Sequence, residues 1–441
     1  MNNRKIIDAR AFREELGEIL MAARSLIVYE ELTRLPALRR LAELLEGLLE
    51  KSWGPARLIE SYTGFLNAFL SSIPMDESHD YSWKDWILDA VLYTENKFTL
   101  WAEKNKDHLP KAMSIAVEND LRSIQRLADI PWQDLVEVLG EETDGFHPVN
   151  IFSGQEAGGW PEVCGRRGLK GWNVEALKEH YRLKGSGIFS RYYGFYWDGS
   201  TLKGIKNTDP ITLDRLLGYD IQKQVLLDNT ERFVSGYPAN NVLLYGDKGT
   251  GKSSMVKALI HEFGDRGLRM IELPKKHLDD YYSIIKYIED RMYRFILFVD
   301  DLSFEEHEVE YKHVKALLEG GLQPKPSNLL VYATSNRRHL VREVVADRSS
   351  VGYNYNDRNE ISPTDSMQEK LSLADRFGIT LTFISPNQEG YLEMVEAMAR
   401  ERGLDVDREV LRAEALRWEK RYNGRSGRTA KQFIDHIEGG L

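Results

Sequence analysis

The chain has 441 residues, 42% hydrophobic, 29% charged and 10% aromatic. At about 150 residues per domain this length predicts two to four domains, and the composition excludes global disorder and any dependence on disulfide staples. The net charge of -10, from 59 Lys and Arg against 69 Asp and Glu, disfavours sequence-blind nucleic-acid binding by the whole surface, and the single cysteine, Cys164, excludes an intramolecular disulfide or a cysteine-based metal cage.

Met1–Glu14 is studded with charge and lacks the apolar core of a signal peptide. No run approaches the roughly 18 apolar residues that span a bilayer, so a cytoplasmic protein with no membrane partner is the expectation. Residues 4 to about 140 read as helices. Leu38, Leu41, Leu45 and Leu48 draw one apolar stripe, with Pro36 in a first turn and Gly54-Pro55 as the stop. Further helices are predicted over Leu58–Leu70, Trp83–Trp101 and Ala112–Leu127. Eight of the nine tryptophans precede residue 205 and only Trp418 follows, which predicts two differently built halves.

From about 141 to 204, glycines including Gly145, Gly154, Gly165 and Gly171 break the periodicity, so short elements and loops are expected. The aromatic run Gly187–Gly199, with Arg191 inside it, reads either as a base-stacking surface or, more simply, as a β-hairpin or strap on a neighbouring domain. After Asp209-Pro210 short apolar runs at Asn241–Tyr245, Leu268–Leu273, Phe295–Val299, Leu329–Thr334 and Ile379–Phe383 alternate with helix-like segments. That alternation predicts a parallel sheet covered on both faces. Asp347–Asp365 reads as a polar insertion, and Glu389–Glu401, Arg408–Arg421 and Thr429–Ile437 read as helices. The expected divisions are a helical domain over 1–145, a Gly- and aromatic-rich connector over 146–208, an α/β core over 209–385 and a helical lid over 386–441.

The strongest chemical signal is Gly246-Asp247-Lys248-Gly249-Thr250-Gly251-Lys252-Ser253-Ser254, between an apolar strand and a helix. This is the phosphate-loop pattern: glycines let backbone amides converge on phosphate oxygens, and the helix N-terminus adds its positive dipole end. Lys252 is expected to reach the β- and γ-phosphates of ATP, and the Ser253 hydroxyl to hold Mg²⁺. Phe295–Asp301 is a buried strand ending in two carboxylates, of which Asp300 is placed to meet the metal and Asp301 to polarise the attacking water. A third strand, Leu329–Ser335, ends in Asn336, whose amide suits the lytic water or the γ-phosphate. Glu306, His307, Glu308 and His313 lack zinc-protease spacing and read as a solvated helix face.

This ordered set resembles the AAA+ ATPase superfamily: phosphate loop, Asp300-Asp301, Ala333-Thr334-Ser335-Asn336, Ser372-Leu373-Ala374-Asp375-Arg376-Phe377-Gly378 and a helical lid. The wording of Leu217-Gly218-Tyr219, Asp300–Glu305, Ala333–Leu340 and Ser426–Ala430 is similar to a bacterial branch known as the domain-of-unknown-function 815 family. The resemblance runs over roughly residues 185 to 441, and none is found for residues 1 to about 150. It implies a five-stranded parallel sheet with helices on both faces and a C-terminal helical lid, while the all-α N-terminal domain is expected from its apolar periodicity alone. It also implies that Gly218 and Tyr219 flank the adenine, that Asn336 is the first sensor, and that Arg428, with Arg425 as competitor, is the second. Arg376 matches the arginine finger that serves a neighbouring subunit in a homo-oligomeric ring.

Two departures bear on mechanism. Most members of the superfamily carry Asp-Glu where this chain has Asp300-Asp301; one methylene fewer predicts slow hydrolysis. The stretch Leu273–Tyr282 lacks the aromatic–hydrophobic–Gly triplet of substrate-threading members, so threading through a pore is not expected. Arg412, Arg417, Lys420, Arg421, Arg425, Arg428 and Lys431, interleaved with Trp418 and Tyr422, read as facing nucleotide phosphates and a neighbouring subunit, or alternatively nucleic acid. The function expected is an Mg²⁺-dependent ATPase acting on a protein or nucleic-acid client. The alternatives are an ATP-binding switch or scaffold with little hydrolysis, and a DNA-associated motor or loader.

Overall fold

The computed structural model describes residues 9–50, 53–74, 81–104, 108–144, 146–152, 160–302, 314, 317–318, 325–336, 376–422 and 424–439. The polar stretch 347–365, the Glu306, His307, Glu308 and His313 group, and the 303–305, 337–340 and 372–375 portions of the motifs lie outside these residues. The chain divides into two compact units, Met1–Arg191 and Tyr192–Leu441.

The first unit is helical: α1 (Ala9–Arg24), α2 (Pro36–Glu50), α3 (Pro55–Leu70), α4 (Trp83–Tyr93), α5 (Lys97–Glu103), α6 (Lys111–Ala128), α7 (Trp132–Glu142), α8 (Trp160–Arg166), α9 (Val174–Lys184) and α10 (Gly187–Arg191). The stripe Leu38, Leu41, Leu45 and Leu48 is buried on α2, which opens with Pro36. Gly54-Pro55 opens α3 instead of closing α2, with Gly54 as the cap and Pro55 in the first turn. The helix expected over Trp83–Trp101 is two helices, because the Asn96 side chain accepts the amides of Phe98 and Thr99 and starts a new one. The buried Asp120 carboxylate accepts the amides of Ile27, Val28 and Tyr29 at 2.7–3.0 Å and ties the link after α1 onto α6. Trp83 stacks on Trp86 with ring centroids 4.9 Å apart, and Trp132 on Phe152 at 4.1 Å.

The division between residues 191 and 192 falls inside the stretch 146–208 expected as a connector. On the N-terminal side, Arg166 donates to the buried Asp85 at 2.9 Å and Arg167 to Asp89 at 2.6 Å, which binds α8 to α4. A buried carboxylate left without such a partner would cost several kcal/mol, about 3–5, so these arginines belong with the helices they neutralise. Cys164 is buried in the same unit, and burial pushes its thiol up to about 11, which suits an inert core thiol.

In the second unit, β1 (Gly194–Trp197) and β2 (Leu202–Ile205) form an antiparallel hairpin. Of the aromatic run Gly187–Gly199, Gly187–Arg191 is helix α10 and Gly194–Trp197 is β1, with Phe195 and Trp197 in the core and Tyr196 exposed. Then follow α11 (Asp220–Val234), β3 (Val242–Gly246), α12 (Lys252–Phe263), β4 (Leu268–Glu272), α13 (Tyr281–Ile288), β5 (Arg294–Val299), β6 (Leu329–Ser335) and β7 (Ile379–Phe383). The sheet order is β2-β1-β4-β5-β6-β3-β7, parallel throughout except for the β1–β2 pair. The five-stranded parallel core expected from sequence is present, extended to seven strands at one edge by the hairpin. Val242, Leu244, Met270, Ile296, Leu330 and Tyr332 join Phe233 of α11 and Leu259 of α12 in one cluster. The alternate residues Leu243, Ile271, Leu297 and Val331 are also buried, hence the near-continuous apolar strands.

The lid comprises α14 (Gln388–Glu401), α15 (Arg408–Arg421) and α16 (Gly427–Glu438). Tyr391, Val395, Ala415 and Phe433 form its small core, against which Leu217 and Tyr219 pack. No helix of the described residues is long and apolar enough to cross a membrane.

Candidate functional site

The phosphate loop follows β3 directly. Gly246, Gly249 and Gly251 have φ of 134°, 78° and 89°, in the region that favours glycine. At Gly246 a Cβ would also lie 1.9 Å from the Phe383 carbonyl oxygen, so only glycine fits between β3 and β7. Helix α12 starts at Lys252 immediately after the last of these turns, bringing its N-terminus to the loop.

The buried Lys252 Nζ donates to the carbonyls of Gly246 at 3.1 Å and Asp247 at 2.7 Å. Burial pulls this ammonium down to about 8, against the opposing pull of Asp247, Asp301 and Asp300. Ser253 Oγ donates to Asp300 Oδ1 at 2.5 Å, and Thr334 Oγ1 donates to the same oxygen at 2.6 Å. Parallel pairing of β5 with β6 and of β6 with β3 is what brings the strand ends together. Asp301, at φ 53°, donates its amide to Thr334 Oγ1 at 2.8 Å, and its Oδ1 accepts from Asn336 Nδ2. Lys275 Nζ stands 3.9 Å from Asp301 Oδ2. Thr334 and Lys275 were not among the expected site residues. Thr334 lies within the third strand motif and its hydroxyl was available as a signal, whereas Lys275 enters through the turn after β4, which no local pattern announces.

A cavity of about 1130 Å³ lies between core and lid. Gly249, Thr250, Gly251, Lys252, Ser253, Ser254, Asp300, Asp301 and Asn336 line it on the loop side. Leu216, Leu217, Tyr219, Met394 and Met398 supply apolar lining. Tyr219 caps α11 at φ 60° and its hydroxyl donates to the Ile384 carbonyl at 2.8 Å. Gly218 has φ 77°, and a Cβ there would lie 3.1 Å from the Met394 methyl.

Arg428, from the first turn of α16, lines the cavity, and its amide donates to the Gly249 carbonyl at 3.2 Å. Arg425 is turned to Glu419 at 2.8 Å and is not part of the lining. Gly218, Gly246 and Asp247 also lie outside the lining; Asp247 Oδ2 accepts from the amide and hydroxyl of Ser385 at 2.8 and 2.6 Å. Arg376 precedes β7, whose residue Ile379 pairs with Val242 at the start of β3. It therefore sits at the opposite end of the sheet from the phosphate loop, roughly 16 Å away at about 3.3 Å per residue. Three of the basic lid residues are engaged within the lid: Arg412 with Glu389 and Glu396, Arg417 with Glu414, and Arg425 with Glu419.

The Ser253 hydroxyl and Asp300 carboxylate are hard oxygen donors in mutual contact, and both line the cavity. They fit Mg²⁺, which commonly takes one or two protein oxygens beside phosphate oxygens and water. Among the described residues, no group of three or more His, Cys, Asp or Glu could hold a metal ion on its own.

A search of curated proteins finds no match. Among solved structures the chain is similar to the Thermotoga maritima RuvB Holliday junction branch migration motor, at 15% identity and a TM-score of 0.34, over 52% of this chain and 65% of that one. A variant of the same motor matches at 15% identity and a TM-score of 0.36, over 52% and 66%. The chain thus spans about two thirds of the length of these proteins. The core and lid just described, with the phosphate loop between them, coincide with a family match over residues 190–441, more than half of the sequence. The chain belongs to the family described as Protein of unknown function (DUF815).

Proposed function

We propose that the protein is an Mg²⁺-dependent AAA+ ATPase that couples ATP binding and hydrolysis to remodelling of, or assembly with, a macromolecular partner. The observation that carries this reading is the convergence of Lys252 and the Ser253–Asp300 pair on a glycine-turned loop lining one cavity. In nucleotide binding, Lys252 Nζ exchanges the carbonyls of Gly246 and Asp247 for β- and γ-phosphate oxygens. Ser253 and Asp300 would hold Mg²⁺, which supplies neutralisation of phosphate charge when bound. Gly218 and Tyr219 border the adenine. Asp301 orients a water whose oxygen bonds to the γ-phosphorus as the bond to the bridging oxygen of ADP breaks. The water's proton passes to the Asp301 carboxylate and on to solvent, leaving ADP and inorganic phosphate. Asn336, bonded to Asp301, fixes that carboxylate. Arg428 meets the phosphates from the lid, and Arg376 acts on the nucleotide of a neighbouring copy in a ring. Phosphate release should be abolished by Lys252→Ala; equal release by both proteins, or none at any protein concentration, overturns the reading.

A second reading, an ATP-binding switch with little turnover, draws on the state of Asp301. Its shorter carboxylate is engaged by Asn336 and faces Lys275, so it is held rather than poised over a water. This reading expects tight ATP binding and turnover little altered by Asp301→Asn. A large loss of turnover in that variant favours the ATPase.

A further inference from the structure

We propose that Asp247 is a positioning residue that couples the phosphate loop to the hinge of the lid by holding Ser385. The purpose of the coupling rests on the ATPase reading; the geometry does not. Asp247 occupies a position of the loop where the phosphate-binding pattern itself requires no particular side chain. Its carboxylate turns from the cavity, and Oδ2 accepts both the amide and the hydroxyl of Ser385, at 2.8 and 2.6 Å. Ser385 stands between the last residue of β7, Phe383, and the first of α14, Gln388, where the chain passes from core to lid.

Three further bonds fasten the same crossing. The Asp247 amide donates to the Phe383 carbonyl at 2.8 Å, Tyr219 Oη to Ile384 and Gln222 Nε2 to Thr382. Pro386 follows Ser385 and restricts it to extended conformations, so a pull there is passed to α14 rather than absorbed by bond rotation. On its other side, the Asp247 carbonyl accepts Lys252 Nζ at 2.7 Å. One residue therefore contacts the cation expected to leave for phosphate and the hinge that sets the lid. When Lys252 changes partners, the Asp247 peptide loses a charged donor, and its side chain transmits the resulting shift to Ser385.

The test uses the full chain with spin labels at exposed positions, Gln224→Cys on α11 and Glu393→Cys on α14, with and without Mg²⁺ and a non-hydrolysable ATP analogue. The interlabel distance should shift on nucleotide addition in the parent protein and in Asp247→Asn, whose amide oxygen still accepts from Ser385. The shift should be lost in Asp247→Ala and reduced in Ser385→Ala, with kcat falling more than KM rises. In the nucleotide-free protein, Ser385 amide exchange should accelerate about tenfold or more in Asp247→Ala, as expected for loss of a bond to a charged acceptor. Parent-like exchange, or a parent-like lid shift in Asp247→Ala, overturns the proposal. A parent lid that stays still while nucleotide binds overturns the coupling and leaves ATP binding standing. Failure of the parent to bind nucleotide overturns the ATPase reading and the coupling's purpose, while Ser385 exchange still decides whether Asp247 holds the hinge.

Discussion

Lys252 is buried, cationic and bonded to two carbonyls of its own loop, so its charge depends on pH near neutrality. Its ammonium titrates near 8 when folded and near 10.5 in an unfolded chain, so it loses its proton earlier in the folded protein. ATP affinity should therefore fall as pH rises above about 8, by up to tenfold per unit, before bound phosphate restores the charge. Titration calorimetry at pH 7 and 9 checks this, and Lys252→Arg should flatten the dependence. Gly246 makes a steric prediction. Any side chain there meets the Phe383 carbonyl, and φ 134° is strained for non-glycine residues. Gly246→Ala should destabilise the second unit by about 2 kcal/mol or more, as followed by calorimetry.

Among the elements, caps decide outcomes that apolar periodicity leaves open. Asn96 splits one predicted helix into two, and Ser426 accepts the Thr429 amide at 3.1 Å to start α16 where Arg428 reaches Gly249. Ser426→Ala should cost about 1 kcal/mol in lid stability and weaken nucleotide affinity, since Arg428 loses its fixed starting point. On α9, burial pulls His180 down to about 4, with a smaller push from Lys184. The unfolded chain takes up this proton near 6.5 and the folded chain only near 4. Stability of the first unit should fall as pH drops through that window, and His180→Gln should flatten the loss in melts at pH 7 and 5.

For the whole molecule, the decisive distance is the one across the sheet between Arg376 and the phosphate loop. An arginine ahead of β7 stands at the opposite end of the sheet from the phosphate loop of its own chain, which agrees with the action between copies proposed above. Arg376→Ala should reduce turnover by about 10³-fold or more. Mixing it with Lys252→Ala should restore activity, because each copy then supplies what the other lacks. Activity of the mixture no greater than the sum of its parts counts against a ring.

Contiguous stretches of sequence determined much of this protein. The phosphate loop, the acid-ended strand, the alternating strands and helices, and the three lid helices could be read because backbone curling, amphipathic periodicity and helix starts act within about ten residues. Tertiary structure decided what depends on residues far apart in the chain. It divided residues 146–208 between two units, since Asp85 and Asp89 claim Arg166 and Arg167. It brought Arg428 rather than Arg425 to the cavity, with Glu419 holding the latter. It turned Asp247 from the cavity toward Ser385, 138 residues away in sequence. A carboxylate's role is set by which donors the fold brings within 3 Å of it, and no local pattern carries that information.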